Sequence, residues 1–150
     1  MILISHRGNT NGKFESYENE PNYIDSAISK GYDVEVDVWK MGKHLHLGHD
    51  FPNYKITQPD IVINKKSWCH AKNLEALHYL LDIGAHCFWH EEDAYTLTSK
   101  GFIWGYPRRK MLGRGILVID NFSIPTPDLC EGVCSDYVAA IMEGLKQWKK

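Results

Sequence analysis

No stretch of this sequence stays apolar for the roughly 18 residues that a bilayer-spanning helix needs, so no membrane span is expected. No pair of cysteines has CxxC spacing. Cys69 and Cys87 stand alone, and Cys130 and Cys134, with three residues between them, give only a faint zinc-like spacing; buried, reduced thiols are the reading. Neither sign of charge dominates. A formal net charge of −2 supplies no broadly basic surface, and no nucleic-acid partner is expected. The opening MILISHRG places its basic residue after the apolar ones, the reverse of a secretory leader, and a cytoplasmic protein is the expectation. Repeats, linkers and shifts of composition are also missing, so residues 1–150 read as one domain. With 43% hydrophobic residues, that domain can bury a core.

What is present is concentrated between Gly31 and Asp50. Asp33, Glu35 and Asp37 alternate with Val34, Val36 and Val38, a period of two that predicts a strand with carboxylates on one face and valines on the other. A valine-rich strand wants burial, and two neighbouring carboxylates on a buried face repel and lose hydration unless a cation sits between them. Glu35 and Asp37 are therefore candidate ligands of a metal ion. His44, His46 and His49 follow closely, the last behind Gly48.

Around this strand the chain alternates. Ile2–Ile4 reads as a buried strand ending at His6 and Arg7. Residues 9–17 are a polar loop. A helix is predicted over Asn19–Lys30, with Pro21 in its first turn and Gly31 closing it. Strand, helix, strand implies a parallel sheet. Lys43–Leu47 reads as a hairpin extension and Ile61–Ile63 as a brief strand. Ser67–Ala71 reads as a strand too, followed by a helix over Asn73–Ile83 with a stripe of Leu74, Leu77, Leu80 and Leu81. Further strands are predicted at Ala85–His90, Phe102–Trp104, Gly115–Ile119 and Gly132–Ser135, and a last amphipathic helix at Asp136–Trp148. Seven or eight strands in parallel order predict an α/β fold, a compact, reduced (β/α)8 TIM-type barrel with several helices replaced by loops, since full barrels take about 250 residues.

In such a barrel the strand ends converge, bringing together His6 and Arg7, Glu35 and Asp37, and His70 and Lys72. The pieces HRG (His6–Gly8), EN (Glu18-Asn19), GYDVEVDV ending in Glu35 and Asp37, and HLGHD ending at His49-Asp50 are similar, in order and spacing, to the signature of the glycerophosphodiester phosphodiesterase family, within the phosphatidylinositol-phospholipase-C-like phosphodiesterases. WCHAK (Trp68–Lys72) and GVCSDYV (Gly132–Val138) resemble later strands of that family.

The resemblance implies a phosphoric diester hydrolase acting on a small glycerophosphodiester-like substrate. His6 and His49 would be the acid/base pair. Arg7 would bind the phosphate, with Lys72 adding a second positive group. Glu35 and Asp37 would bind a divalent cation. His70 stands where the family has a third metal-binding Glu, and imidazole favours zinc or manganese over magnesium or calcium. Two alternatives stand beside this: a degenerate barrel that binds a phosphorylated sugar or polyol without catalysis, and a zinc hydrolase built on His44, His46, His49 and His70. His90 and Glu91 are possible extra ligands. Arg108, Arg109, Lys110 and Arg114 form a basic cluster, and Trp104 and Tyr106 are candidates to line a pocket.

Overall fold

The computed structural model describes residues 1–120 and 130–148, the side chain of Trp148 excepted. Among these residues there are ten strands and four short helices. The strands are β1 (Ile2–His6), β2 (Asp33–Met41), β3 (His44–Leu47), β4 (Tyr54–Ile56), β5 (Ser67–Ala71), β6 (Cys87–Phe88), β7 (Tyr95–Leu97), β8 (Ile103–Gly105), β9 (Gly115–Ile119) and β10 (Gly132–Ser135). The helices are α1 (Pro21–Ser29), α2 (Asp60–Ile63), α3 (Leu74–Asp82) and α4 (Val138–Trp148).

All ten strands belong to one curled sheet. Parallel pairing runs in the order β6-β5-β2-β1-β10-β9-β8, so the parallel sheet expected from the first strand-helix-strand unit is there. β3 and β4 extend it antiparallel beside the second half of β2, and β7 adds antiparallel to β8. This is a half-barrel and not the (β/α)8 TIM barrel expected from the sequence. The reason is the length of the connections. The hairpin β3–β4 and the four-residue α2 occupy the crossover from β2 to β5, and the short β7 follows β6, where a barrel would place full helices. The residues around β6 are tied to β7 and the turn after it by a few isolated bonds and not by a ladder. The Thr96 hydroxyl donates to the Trp89 carbonyl, and the Ser99 hydroxyl donates to the Ala85 carbonyl while its backbone N–H donates to Cys87.

The alternation of β2 decides the layering. Val34, Val36 and Val38 lie on the convex face, under Ile24 and Ala27 of α1 and Ala76 and Leu80 of α3. Ile4, Trp68, Phe88, Trp104, Ile116 and Cys134 fill the concave side. A third cluster packs Val133 and Ile119 against Ile141 of α4. Glu20 caps α1 by accepting the Tyr23 N–H, and Asn73 caps α3 by accepting that of Ala76. The helix α3 buries Ala76 and Leu80, leaving Leu74 and Leu81 of the expected stripe exposed. Ile61–Ile63 is part of α2, not a strand, and the strand expected over Ala85–His90 shortens to β6. All four cysteines are free and buried. Among the described residues no helix is long and apolar enough to cross a membrane.

Candidate functional site

Register on the concave face builds the site. His6 of β1 lies opposite Glu35 of β2, Asp37 opposite His70 of β5, and His70 opposite Phe88 of β6. Residues in register on adjacent parallel strands point to the same side of the sheet. An ordered row of polar side chains therefore sits above the apolar filling of the half-barrel.

Glu35, Asp37 and His70 offer ligand atoms that all lie within 4.8 Å of one another. Glu35 and Asp37 are buried, and Glu35 Oε2 has no hydrogen-bond partner. An orphaned carboxylate oxygen at this depth fits a bound cation. His70 Nδ1 lies 3.1 Å from Asp37 Oδ1 and 3.7 Å from Glu35 Oε1. Its Nε2 lies 3.0 Å from the His90 carbonyl, an acceptor only, so Nε2 carries a hydrogen and Nδ1 faces the carboxylates. Burial alone would lower the basicity of this ring, but the hydrogen bonds and charges of Asp37 and Glu35 outweigh it and raise its pKa to about 9. One buried Glu35/Asp37/His70 group could thus hold a metal ion, the imidazole favouring zinc or manganese.

Arg7 reaches the same place by an unusual backbone. Its φ of 53° is left-handed, as is the 64° of Asn19, each at a cost on the order of 1 kcal/mol. The two turns are tied together by the Asn19 N–H donating to the Arg7 carbonyl at 3.0 Å. Arg7 Nε then lies 2.9 Å from Asp37 Oδ2, while Nη1 donates to Glu18 Oε2 at 3.0 Å. Asn19 Nδ2 donates to Asp37 Oδ2 at 2.9 Å. Lys72 Nζ is 3.6 Å from Asp37 Oδ1. Burial pushes the Asp37 carboxyl up, yet His70, Arg7 and Lys72 together hold it well below the ordinary carboxylate range.

His6 Nδ1 is 2.9 Å from Asp136 Oδ1, just past the end of β10, and its Nε2 is 3.9 Å from Glu35 Oε2. Burial works against its charged form, but Asp136 and Glu35 prevail and its pKa is raised. Asn9, fully buried, joins the two halves of the site. Its Nδ2 donates to both Glu18 Oε1 and Asp136 Oδ1 at 2.9 Å, and its Oδ1 accepts from the Phe14 N–H and the Tyr23 hydroxyl. His49 comes from the loop after β3, its Nδ1 2.8 Å from Asp50 Oδ1. Gly48 sets that loop. Its φ is +146°, and a Cβ would stand 2.1 Å from the Phe51 carbonyl oxygen.

A cavity of about 240 Å³ opens over these groups, with His6, Arg7, Glu35, His49 and His70 on one side. Phe88, His90, Trp104, Tyr106, Pro107 and Val118 form the other. The sequence-predicted residues thus converge, except that Asp37 and Lys72 lie behind the lining. A hollow of about 360 Å³ between Pro21 and Asn64 carries none of these groups. His44 and His46 lie outside the acidic cluster, as does the pair Cys130 and Cys134. Arg108 pairs with Asp120 at 3.7 Å, and Arg114 with Glu131 at 3.9 Å. Sequence reasoning assigned no role to Asn9, Glu18, Asn19 or Asp136. Glu18, Asn19 and Asp136 fall within the motifs quoted above, whereas Asn9 carries no local signal. Comparison with models of protein families, with curated proteins and with solved structures finds no match for this chain.

Proposed function

We propose that this protein is a metal-dependent hydrolase of small phosphodiesters. The observation that carries the reading is a pair of imidazoles, His6 and His49, each with Nδ1 on an aspartate, lining the cavity that also holds Glu35 and His70. Four carboxylates, Glu18, Glu35, Asp37 and Asp136, share the site with two fixed cations, Arg7 and Lys72, and with the imidazoles of His6 and His70; a divalent ion between Glu35 and Asp37 would offset the charge of those two acids. Held by Glu35, Asp37 and His70, such an ion would polarise a phosphoryl oxygen.

The chain's own groups do the rest. Arg7 faces the cavity from a clamp of two acids and offsets the charge of the phosphoryl group. His6, whose charged form Asp136 and Glu35 favour against burial, suits the donor to the leaving oxygen. His49 then takes the proton of the attacking hydroxyl or water. Asp136 holds the His6 ring and fixes which nitrogen faces the substrate, while Asp50 pairs with His49 from the solvent side.

The test is hydrolysis of bis(p-nitrophenyl) phosphate by metal-stripped protein with manganese, zinc, magnesium or calcium restored. Manganese or zinc is expected to restore turnover most, and His6→Ala, His49→Ala and Glu35→Ala each to lower it about 100-fold or more. A folded protein with no turnover on any of the four metals overturns the proposal. The second reading, binding of a phosphorylated small molecule without turnover, is favoured by Arg7, His70 and Lys72 around Asp37, which already surround that acid with positive charge.

A further inference from the structure

We infer that the far half of the cavity receives a ring of the substrate, so that the diester carries an aryl or similar apolar ring alcohol and not a glycerol-like polyol. This inference rests on the phosphodiester reading of the same site. The near half is filled by chemistry for the phosphoryl group: His6, Arg7, Glu35 and His49. Facing it are Phe88, Trp104, Tyr106, Pro107 and Val118, and among the described lining residues this half holds no acid and no lysine or arginine.

The wall is preformed. The rings of His70 and Phe88 stack at 5.0 Å with 9° between planes, and Phe88 stacks on Trp104 at 4.6 Å and 26°. Tyr106 packs on His90 at 4.4 Å between centroids. Side chains locked against each other in this way keep their shape when a ligand enters.

Few polar atoms face that ring. His90 Nδ1 is buried without a partner, while the carbonyl of the same residue holds His70. A polyol would bring two free hydroxyls against a wall made mostly of ring faces and apolar edges. Each unmatched hydroxyl costs about 1–3 kcal/mol. An apolar ring leaves nothing unpaired and gains from burial against the aromatic wall. At about 240 Å³ the cavity has the volume of about eight waters, room for a phosphoryl group and one small ring.

The experiment is calorimetric binding of phenyl phosphate, methyl phosphate and glycerol 3-phosphate to the manganese-loaded protein, run beside turnover of bis(p-nitrophenyl) phosphate. Phenyl phosphate is expected to bind about tenfold tighter than the other two. Tyr106→Ala, at a position 40% exposed and so outside the folding core, should weaken that preference and leave methyl phosphate binding unchanged. Glycerol 3-phosphate binding as tightly as phenyl phosphate, or a preference undiminished in Tyr106→Ala, overturns the inference. Turnover without ring preference overturns it and leaves the phosphodiesterase reading standing. Ring preference without turnover does the reverse, supporting the subsite on a protein that only binds. No binding of any of the three overturns both.

Discussion

The two histidines over the cavity have the same local chemistry and opposite surroundings. His6 sits at the end of a central strand, and its partner Asp136, 19% exposed, is itself gripped by the buried Asn9. His49 sits on the loop after an outlying hairpin strand, and its partner Asp50 is 75% exposed. An aspartate held by a buried amide fixes an imidazole; one in water leaves it free to move and is screened by solvent. One side of the site is preorganised and the other is adjustable.

The strongest way to break this comparison acts on stability. Asp37→Ala takes the fully buried acid from the half-buried Arg7, His70 and Lys72, and should destabilise the fold by about 3–5 kcal/mol in urea denaturation. Asp50→Ala should change stability by no more than about 0.5 kcal/mol. Equal losses would show that the two sides are held alike.

Activity should divide in the same sense. Asp136→Asn is expected to lower kcat by about 100-fold to 1,000-fold, and Asp50→Asn by less than about tenfold. The reverse order in steady-state kinetics would make the exposed loop the preorganised side.

A third imidazole sharpens the contrast, because it has no acid at all. His86 packs against Trp68 at 4.0 Å and Phe102 at 5.7 Å, and burial with the nearby charge of Lys100 lowers its pKa from 6.5 to about 4. Between those values the unfolded chain binds a proton that the folded one refuses, so stability should fall as pH drops from about 6.5 towards 4 and be fully regained above 6.5. His86→Leu should remove on the order of 1–2 kcal/mol of that acid sensitivity, with allowance for solvent around a half-buried ring. Thermal melts across pH 4–7 that superimpose for the two proteins would contradict it.

Reading this chain unaided worked where a local pattern had a physical cause. The alternation through Asp33–Val38 placed Glu35 and Asp37 together on one face, opposite the valines, because strand periodicity leaves no other choice. Asn73 and Gly31 marked helix ends by capping and by left-handed φ. Ile61–Ile63 failed because three apolar residues have no period to read. The three-residue β4 and β7 escaped for the same reason. The barrel failed because counting strands does not reveal which connections hold helices. The pairing of Arg7 with Asp37 was not legible, because it depends on a left-handed turn. Asp136 could be matched to His6 only by knowing that β1 pairs with β10.

That pairing also dictates when the site can exist. The His6–Asp136 contact joins residues 130 apart in the sequence, and β1 finds one of its two neighbours only near the end of the described chain. Long-range parallel pairings of this kind close late, because the chain between them must surrender its freedom first. During synthesis the convex layer of α1, β2 and α3 can gather early, while the His6–Asp136 pair waits for the last strand to arrive. A chain interrupted before that point would expose β1 as an unpaired edge.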